Sequence, residues 1–431
     1  MKLCYIHAVP AEKTAMKNRF QLVLILAILS LAVSREASAQ PAEFNYDESK
    51  VPQYTLPDPL KGVKTSADWT KRRQEILSLF QQQMFGRAPK FDASKLRVSP
   101  SAAEHLVLGG KAKMTQPVLH LPGADVQLLI FVPTKSKQPV PVFLGCNFEG
   151  NHTVLADSRV ELPKGWVRGA KDNKADDSQR GKKASRWAVE KIIDRGYGLI
   201  TLYYGHIDPD FDDGFRNGVY SHFGQPKPNE WGSIAAWAWG LSRVLDYLET
   251  TPTATTGIDP KRVAVMGHSR LGKTSLWAGA SDERFAMVIS NDSGCGGAAL
   301  SRRAFGETVK RINTSFPHWF CGNFKRYNGK ESELPFDQHM LISLMAPRPV
   351  YVASAEGDRW ADPHGEFLSA KGADPVYRLL GTEGLPAKTM PAVNEPVQGR
   401  IGYHMRSGKH DVTDFDWGQY LNFADRHLRK K

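Results

Sequence analysis

The chain has 431 residues, of which 41% are hydrophobic, 10% aromatic and 24% charged. These proportions are typical of a globular protein and exclude a collagen-like, disordered or coiled-coil chain. The net charge of +12 at pH 7 suits an acidic polymer as substrate, although solubility alone explains it equally well. No basic stretch with interleaved aromatic residues occurs, so nucleic-acid binding is not expected.

Residues 1–39 are predicted to be a secretory signal peptide. The basic segment 16–19 precedes an apolar run, 20–33, of about 14 residues, which is too short to span a membrane comfortably. Small residues then form a signal-peptidase site, with cleavage after Ala39. A membrane anchor or a buried helix is the alternative. Removal takes away five basic and two acidic residues, which lowers the net charge from +12 to +9, and the mature protein is expected to be secreted or periplasmic.

The remaining chain predicts an α/β protein. Residues 40–60 are predicted to be extended, and 61–431 to form a single catalytic domain. Apolar periodicity predicts helices over 68–84, 230–250 and 416–428. Short runs rich in β-branched residues predict strands over 124–133, 139–148, 197–204, 263–266, 285–289 and 349–353. This alternation indicates a mostly parallel sheet covered by helices on both faces.

Two loops interrupt this pattern. Residues 157–187 are rich in Lys, Arg, Asp and Gly, which indicates a long surface insertion with a helix starting near its end. Further along, Asp208, Asp210, Asp212 and Asp213 resemble half of a calcium-binding loop. The sixth position of that loop is Asp213 rather than Gly, so a solvated acidic loop is expected instead of a calcium site.

The cysteines and histidines give no support for a metal site. Cys4 lies in the predicted leader, and Cys146, Cys295 and Cys321 remain in the mature chain. Three cysteines allow at most one disulfide and leave one thiol over. The sequence has no CxxC pair and no HExxH motif, so neither a metal nor a cofactor is predicted.

The most informative segment surrounds Ser269, where a predicted strand runs directly into a helix. This context is typical of a nucleophile elbow, the strained turn that exposes a serine hydroxyl at the edge of a sheet. Gly267 supplies the small residue that the turn needs. Leu271 stands where the usual motif has its second Gly, and Gly272 follows one residue later. A serine that caps the helix is an equally weighted alternative on this segment alone.

A serine hydroxyl needs a neighbouring base before it can act as a nucleophile. In folds with this elbow the order along the chain is Ser, acid, His, so the base is expected on a late loop. The late histidines are His404, His410 and His427. His410 is preferred because it lies in a loop just before the last predicted helix, whereas His427 is predicted to lie on the surface of that helix.

Two acids compete for the third role, and each follows a predicted strand. Asp292 follows the strand 285–289, and Asp358 follows the strand 349–353. Either carboxylate could orient an imidazole and stabilise its charged form. Glu356 is a third candidate. Loop caps or salt-bridge partners are the alternative interpretation of these acids.

Two basic residues follow the candidate nucleophile. The backbone N–H after a nucleophilic serine usually helps to stabilise the oxyanion, and the guanidinium of Arg270 could add a second donor. Such a donor contributes roughly 10²–10³ in rate. Lys273, one helical turn beyond Ser269, could contact substrate hydroxyls or a carboxyl product. The alternative for Lys273 is a surface salt bridge.

Further motifs occur in a fixed order along the chain: 267–273 (GHSRLGK), 291–297 (NDSGCGG), 301–307 (SRRAFGE), 360–363 (WADP) and 408–410 (GKH). Over about 60–430 the sequence resembles the glucuronoyl esterases, carbohydrate esterase family 15, and especially their bacterial branch. The resemblance implies an α/β-hydrolase fold, a three-layer sandwich with a mostly parallel central sheet and loop insertions. It implies an esterase, free of cofactors, that cleaves esters between 4-O-methyl-glucuronic acid of xylan and lignin alcohols through a glucuronoyl-enzyme intermediate.

The resemblance also implies roles for individual residues. It assigns catalytic roles to Ser269, His410, Asp358, Asp292 and Arg270. It assigns binding of the glucuronate ring and its hydroxyls to Lys273, Glu307 and Trp360. Taken alone, Glu307 is typical of an exposed helix acid and Trp360 of a half-buried rim aromatic. Many fungal members bridge a Cys before the nucleophile to a Cys after the histidine, but His268 and Val412 stand at those positions here.

Other functions were weighed against the same residues. An acetyl xylan esterase, or another carbohydrate ester hydrolase, needs only a tiny acyl pocket, which leaves Arg270, Lys273 and Glu307 unexplained. A non-catalytic polysaccharide-binding protein is expected to lack a member of the triad, and none is visibly missing. The expected partners are glucuronoxylan and lignin-carbohydrate esters, with no nucleic acid, no membrane after signal removal, and a monomeric state.

Overall fold

Twelve strands form one mixed sheet in the computed structural model, which describes residues 43–429 of the chain. The strands are β1 (Arg97–Ser99), β2 (His105–Val107), β3 (Ala112–Thr115), β4 (Val118–Leu121), β5 (Ala124–Pro133), β6 (Val140–Asn147), β7 (Gly198–Tyr203), β8 (Ile258–His268), β9 (Met287–Asn291), β10 (Val350–Ala355), β11 (Val397–Gln398) and β12 (Ile401–Arg406). The predicted signal peptide and its cleavage site lie outside the described residues.

The order across the sheet is β1, β4, β5, β7, β6, β8, β9, β10, β12, β11, and β2 and β3 join through the pairing of β3 with β5. The central strands β7, β6, β8, β9, β10 and β12 are mutually parallel. Their carboxyl ends therefore meet at one edge of the sheet, where loops after different strands come together. The strands at the β5 side and β11 are antiparallel to their neighbours.

Helices cover both faces of this sheet. Those within the described residues are α1 (Ser66–Gln83), α2 (Ala184–Trp187), α3 (Val189–Asp194), α4 (Tyr220–Phe223), α5 (Ser233–Thr250), α6 (Thr253–Thr256), α7 (Arg270–Ser281), α8 (Val309–Ser315), α9 (Gln338–Ser343), α10 (Pro363–Gly372), α11 (Asp374–Leu379) and α12 (Asp414–Leu428). The predicted helices correspond to α1, α5 and α12, and α2 lies at the end of the predicted insertion. No helix over 43–429 is long and apolar enough to cross a membrane.

Alternating side chains of β8 show how the layers are held together. Val263 and Val265 pack into one core with α5 and α7, whereas Ala264 and Met266 pack into a second core with α3 and α12. Successive residues of a strand point to opposite faces, so a strand buried on both faces must be apolar throughout. The predicted three-layer α/β-hydrolase fold is confirmed. From Asn45 onward the chain forms one compact unit.

Some elements were not predicted. Strand β12 contains buried polar residues, His404 and Arg406, which share the buried carboxylate of Asp416 on α12. A polar strand of this kind lacks the apolar run by which strands are recognised. The strands β1 to β4 have only three or four residues each and lie at the antiparallel side of the sheet. The cysteines Cys146, Cys295 and Cys321 are buried and unbridged.

Candidate active site

Ser269 occupies a strained turn between β8 and α7. Its backbone has φ 58° and ψ −129°, a conformation that residues with a side chain rarely adopt. The turn is tight enough that a Cβ on Gly267 would lie 1.8 Å from the carbonyl oxygen of Leu271. A Cβ on Gly272 would lie 2.9 Å from the Cβ of Ser293, which explains why the second Gly follows Leu271. The Ser269 side chain makes no capping hydrogen bond, so the helix-cap alternative is wrong.

His410 and Asp358 form a hydrogen-bonded pair at the same edge of the sheet. Nδ1 of His410 lies 2.6 Å from Oδ2 of the buried Asp358, while the His410 side chain is 42% exposed. The loops that carry them are joined, because the N–H of Gly357 donates to the carbonyl of Gly408 at 2.8 Å. Within 43–429, no residue hydrogen-bonds the Ser269 hydroxyl. Catalytic hydrogen bonds of this kind often form only in the complex with substrate.

Asp292 lies beside this pair without bonding to the imidazole. One ligand atom from each of Asp292, Asp358 and His410 lies within 4.8 Å of the other two. Oδ2 of Asp292 accepts long hydrogen bonds of 3.4 Å from Nη2 of Arg406 and from the N–H of Asp411. Its Oδ1 is buried and has no partner among the described residues. The structure therefore brings both predicted acids to the histidine but pairs only Asp358 with it.

Burial shifts the protonation equilibrium of Asp292 away from that of an ordinary aspartate. Burial raises the pKa of its carboxyl well above the usual value, and the negative charges of Asp358 and Glu366 raise it further. Arg406 opposes this shift. Two carboxyl groups this close do not both ionise readily. The surroundings of Asp292 therefore favour the protonated form of its carboxyl more than water does.

Glu366 is a site residue that the sequence did not reveal. Its buried Oε1 accepts hydrogen bonds from the N–H groups of Ser293 and Gly294, at 2.8 and 2.9 Å, and its Oε2 from the hydroxyl of Ser354 at 2.5 Å. Burial raises the pKa of Glu366 to about 8, although these hydrogen bonds oppose the shift. Glu366 thus fixes the loop that carries Asp292. A glutamate inside α10 has no sequence signal that distinguishes it from a surface acid.

The other late histidines lie away from Ser269. His404 is buried in β12, where Nε2 lies 2.9 Å from Oδ1 of Asp416 and Nδ1 lies 2.9 Å from the hydroxyl of Tyr351. His427 is half-buried rather than on the surface, and its Nε2 contacts the carbonyl of Gly399 at 3.0 Å. The Glu356 side chain is exposed and makes no hydrogen bond to a histidine among the described residues.

Arg270 directly follows Ser269, and its guanidinium is held on two sides. Nη1 donates to Oδ2 of Asp210, and the guanidinium carbon lies 4.8 Å from the centroid of the Trp319 ring. That ring is itself stacked on Phe316 at 3.7 Å with an interplanar angle of 3°. Nε of Arg270 is buried and has no hydrogen-bond partner within 43–429. The side chain is thus fixed by one nitrogen and retains donors for a ligand.

Asp210 corrects the expectation of a solvated acidic loop. Asp208 and Asp210 are both buried, whereas Asp213 closes a turn by accepting hydrogen bonds from the N–H groups of Phe215 and Asn217. Burial opposes ionisation of Asp210, but hydrogen bonding by His318 and the charge of Arg270 hold its pKa well below the usual range. No local sequence pattern marks Asp210 as buried, because the groups that donate hydrogen bonds to it come from distant parts of the chain.

The predicted binding residues lie around the first turn of α7. Lys273 is buried, not a surface residue, and its Nζ donates to the carbonyl of Ser293 at 2.6 Å. Glu307 is half-buried and lies in a loop before α8, not in a helix. Its backbone N–H donates to the carbonyl of the half-buried Trp360 at 3.1 Å. Glu307 is close enough to Lys273 and Arg270 to be influenced by their charges, and Trp360 is joined to Glu307 through the backbone.

Lys273 and Glu307 influence each other electrostatically. Burial lowers the pKa of Lys273, and the carboxylate of Glu307 opposes this shift. Burial raises the pKa of Glu307, and the charges of Lys273 and Arg270 oppose that shift. These charged side chains supply hydrogen-bond donors and acceptors, which suit a hydroxylated acyl group rather than an aliphatic one.

Among the described residues, only one group contains three side chains that could together hold a metal ion: Asp292, Asp358 and His410. Nδ1 of His410 and Oδ2 of Asp358 are already hydrogen-bonded to each other, so the geometry matches a base and its orienting acid. The absence of a metal or cofactor requirement stays a prediction.

Comparison with known proteins agrees with this geometry. A family model described as glucuronyl esterase, fungi, matches residues 188–381. A carbohydrate esterase from an unknown prokaryotic organism is 53% identical over 427 residues, which cover 94% of this chain and 97% of that protein. A 4-O-methyl-glucuronoyl methylesterase from Phanerochaete carnosa is 28% identical, over 84% of this chain and 81% of that protein.

Solved structures give the same result. A glucuronoyl esterase from Solibacter usitatus superposes with a TM-score of 0.83 at 48% identity, over 88% of this chain and all of that one. A glucuronoyl esterase of carbohydrate esterase family 15 from Teredinibacter turnerae superposes with a TM-score of 0.76 at 28% identity, over 91% of this chain and 94% of that one. The chain therefore belongs to the glucuronoyl esterases of carbohydrate esterase family 15 and is a carboxylic ester hydrolase.

Proposed function

We propose that this protein is an exported serine esterase that hydrolyses the ester between (4-O-methyl-)glucuronic acid of glucuronoxylan and lignin alcohols. The observation that carries the proposal is the cluster of charged side chains beside the nucleophile. Lys273 and Arg270 supply positive charge within one helical turn of Ser269, and Glu307 adds a hydrogen-bond acceptor there. An uronic acyl group, with several hydroxyls, uses such a cluster, whereas an acetyl group does not.

In the first half of the reaction, Ser269 Oγ attacks the C6 carbonyl carbon of the esterified glucuronate. Nε2 of His410 accepts the hydroxyl proton, because its Nδ1 is engaged by Asp358. The carbonyl oxygen becomes an oxyanion, which the Arg270 side chain and its backbone N–H stabilise. The C–O bond to the lignin alcohol then breaks, and His410 returns the proton to the departing alcohol.

In the second half, water hydrolyses the glucuronoyl ester on Ser269. His410 accepts a proton from the attacking water, and the same donors stabilise the second oxyanion. Breakage of the bond between the carbonyl carbon and Ser269 Oγ returns the proton to the serine and releases glucuronate. Lys273 and Glu307 hold the ring hydroxyls through both steps, and Trp360 contacts the ring face.

The cellular setting follows from the predicted leader. We infer that residues 1–39 direct export and are removed after Ala39, and that a monomer without membrane attachment acts on plant cell-wall polymers. The net charge of +9 after removal of the leader suits an acidic polysaccharide.

The test compares three substrates: benzyl glucuronate, 4-nitrophenyl acetate and acetylated xylan. The protein from Gln40 onward is assayed beside its Ser269→Ala variant, with melting temperature as a control for folding. We expect kcat/KM for benzyl glucuronate to exceed that for 4-nitrophenyl acetate, and the Ser269→Ala variant to lose nearly all turnover. Preference for acetylated xylan would overturn the substrate and the roles of Lys273 and Glu307. Full activity of the Ser269→Ala variant would overturn the mechanism.

A further inference from the structure

The carboxylate of Asp210 accepts hydrogen bonds from five donors, although no sequence motif around it predicts this. The side chain is completely buried. Oδ1 accepts hydrogen bonds from Nε2 of His318 at 3.0 Å and Nε1 of Trp319 at 2.7 Å. Oδ2 accepts from Nη1 of Arg168 at 2.8 Å, from the hydroxyl of Tyr204 at 3.0 Å and from Nη1 of Arg270.

We propose that Asp210 is a positioning residue for Arg270, which it holds in the orientation that serves the oxyanion. The proposal rests on the role of Arg270 in the proposed function. Asp210 anchors one end of the guanidinium, and Trp319, which also donates to Asp210, lies under its face. An arginine side chain has many rotamers in water, and fixing it beforehand avoids reorganisation during the reaction. The Asp210 carboxylate therefore acts through Arg270 and not on the substrate.

The charges around Asp210 fit this role. A carboxylate that bound Arg270 alone would cancel the positive charge that stabilises the oxyanion. Arg168, from the insertion 157–187, binds the same Oδ2 atom, so the three groups together retain one positive charge. Because the Arg168 side chain is 45% exposed, it keeps part of this charge at the rim of the site. The insertion thus contributes to the charge beside Ser269.

A double-mutant cycle separates this role from a merely structural one. The four proteins are the wild type, Asp210→Asn, Arg270→Ala and the double variant, assayed for kcat and KM. Loss of an oxyanion donor lowers kcat roughly 100–1,000-fold, so we expect that loss for Arg270→Ala. We expect Asp210→Asn to lower kcat about 10–100-fold, with KM changed by less than about threefold. In the Arg270→Ala background, Asp210→Asn should change kcat by less than about threefold.

A structural role predicts a different pattern. If Asp210 only stabilises the fold, Asp210→Asn lowers kcat by the same factor in both backgrounds, which overturns the proposal. Asp246→Asn is the matched control, because Asp246 is also buried and also binds two arginines, Arg243 at 2.5 Å and Arg284 at 2.8 Å. We expect the Asp246→Asn protein to keep wild-type kcat.

Guanidinium rescue keeps the test decisive if the single variant Asp210→Asn does not fold. The double variant removes the buried guanidinium together with its carboxylate and leaves only the 45% exposed Arg168 without its partner, so it is less disturbed than the single variant. Millimolar guanidinium chloride should raise kcat of Arg270→Ala at least about tenfold and leave the double variant unchanged. Equal rescue of both proteins, or rescue of neither, overturns the proposal. The cycle is run on 4-nitrophenyl acetate as well, so failure to cleave benzyl glucuronate refutes only the proposed substrate.

Discussion

Asp358 and Asp292 allow the sharpest test of the triad, because they differ in their contacts with His410. Asp358 is hydrogen-bonded to His410 at 2.6 Å, whereas Asp292 accepts a 3.4 Å hydrogen bond from Arg406, and burial raises the pKa of its carboxyl. Replacement of each by Asn changes little in shape. Asn cannot hold the imidazole in the correct tautomer or stabilise its charged form, so we expect Asp358→Asn to lower kcat about 10⁴-fold. This factor corresponds to about 5 kcal/mol of lost transition-state stabilisation.

For Asp292 the expected loss is much smaller. Burial raises the pKa of Asp292 and so favours its protonated form, which Asn resembles in size and in offering both a donor and an acceptor. We expect Asp292→Asn to lower kcat less than tenfold, or less than about 1.4 kcal/mol. The double variant should match Asp358→Asn.

The assay is single-turnover hydrolysis of benzyl glucuronate at pH 7 by the wild type and the three variants. Melting temperatures show whether each variant folds. Equal losses for the two single variants, or a larger loss for Asp292→Asn, would refute the assignment of Asp358 as the acid that orients His410. Mild single losses with a severe double loss would show that the acids share the role.

Three further changes test the charged cluster, the acid loop and the elbow. Lys273→Met should raise KM for benzyl glucuronate about 10–100-fold, because a charged hydrogen bond to the substrate is lost. In the same steady-state assays, KM for 4-nitrophenyl acetate should change by less than about threefold. Burial raises the pKa of Glu366 to about 8, so the folded protein binds the proton of this carboxyl more tightly than the unfolded chain does. The free energy of unfolding therefore falls as pH rises from about 4.5 towards 8. Glu366→Gln should remove up to about 4 kcal/mol of that pH dependence, measured by urea unfolding at about pH 5 and pH 8; an unchanged slope would contradict the burial argument. Gly267→Ala places a Cβ 1.8 Å from a carbonyl oxygen and should lower stability by about 3 kcal/mol or more and abolish turnover. Gly418→Ala, whose Cβ would meet nothing nearer than Nζ of Lys191 at 4.0 Å, should keep wild-type activity in the same assays.

The sequence predicted the central architecture well because the parallel strands other than β12 are largely apolar. Buried parallel strands leave a strong pattern, and their carboxyl ends share one edge of the sheet. The residues that follow β8, β9 and β10 were therefore expected to meet, and His410 was expected beside them from its place before the last helix. The structure brings Ser269, Asp292, Asp358 and His410 to that edge. Which acid pairs with His410 depends on side-chain directions and on Arg406, and no local pattern contains that information.

The residues that hold Arg270 in place could not be predicted from the sequence, for a different reason. Asp210 lies in a segment whose acids suggest solvent exposure, and its donors Arg168, His318 and Trp319 are separated from it by between 42 and 109 positions along the chain. Only the fold brings them together. Glu366 was missed likewise, because its partners Ser293 and Gly294 are backbone groups.

Cleavage of glucuronoyl esters of lignin alcohols in xylan is the activity proposed for this protein. The most direct measurement treats an isolated hardwood lignin-carbohydrate fraction with the wild type and with Ser269→Ala, then quantifies new glucuronate carboxylates and released acetate in the same sample. We expect carboxylates to appear with the wild type alone, while acetate stays bound. Release of acetate without new carboxylates, or equal carboxylates with Ser269→Ala, would contradict the account.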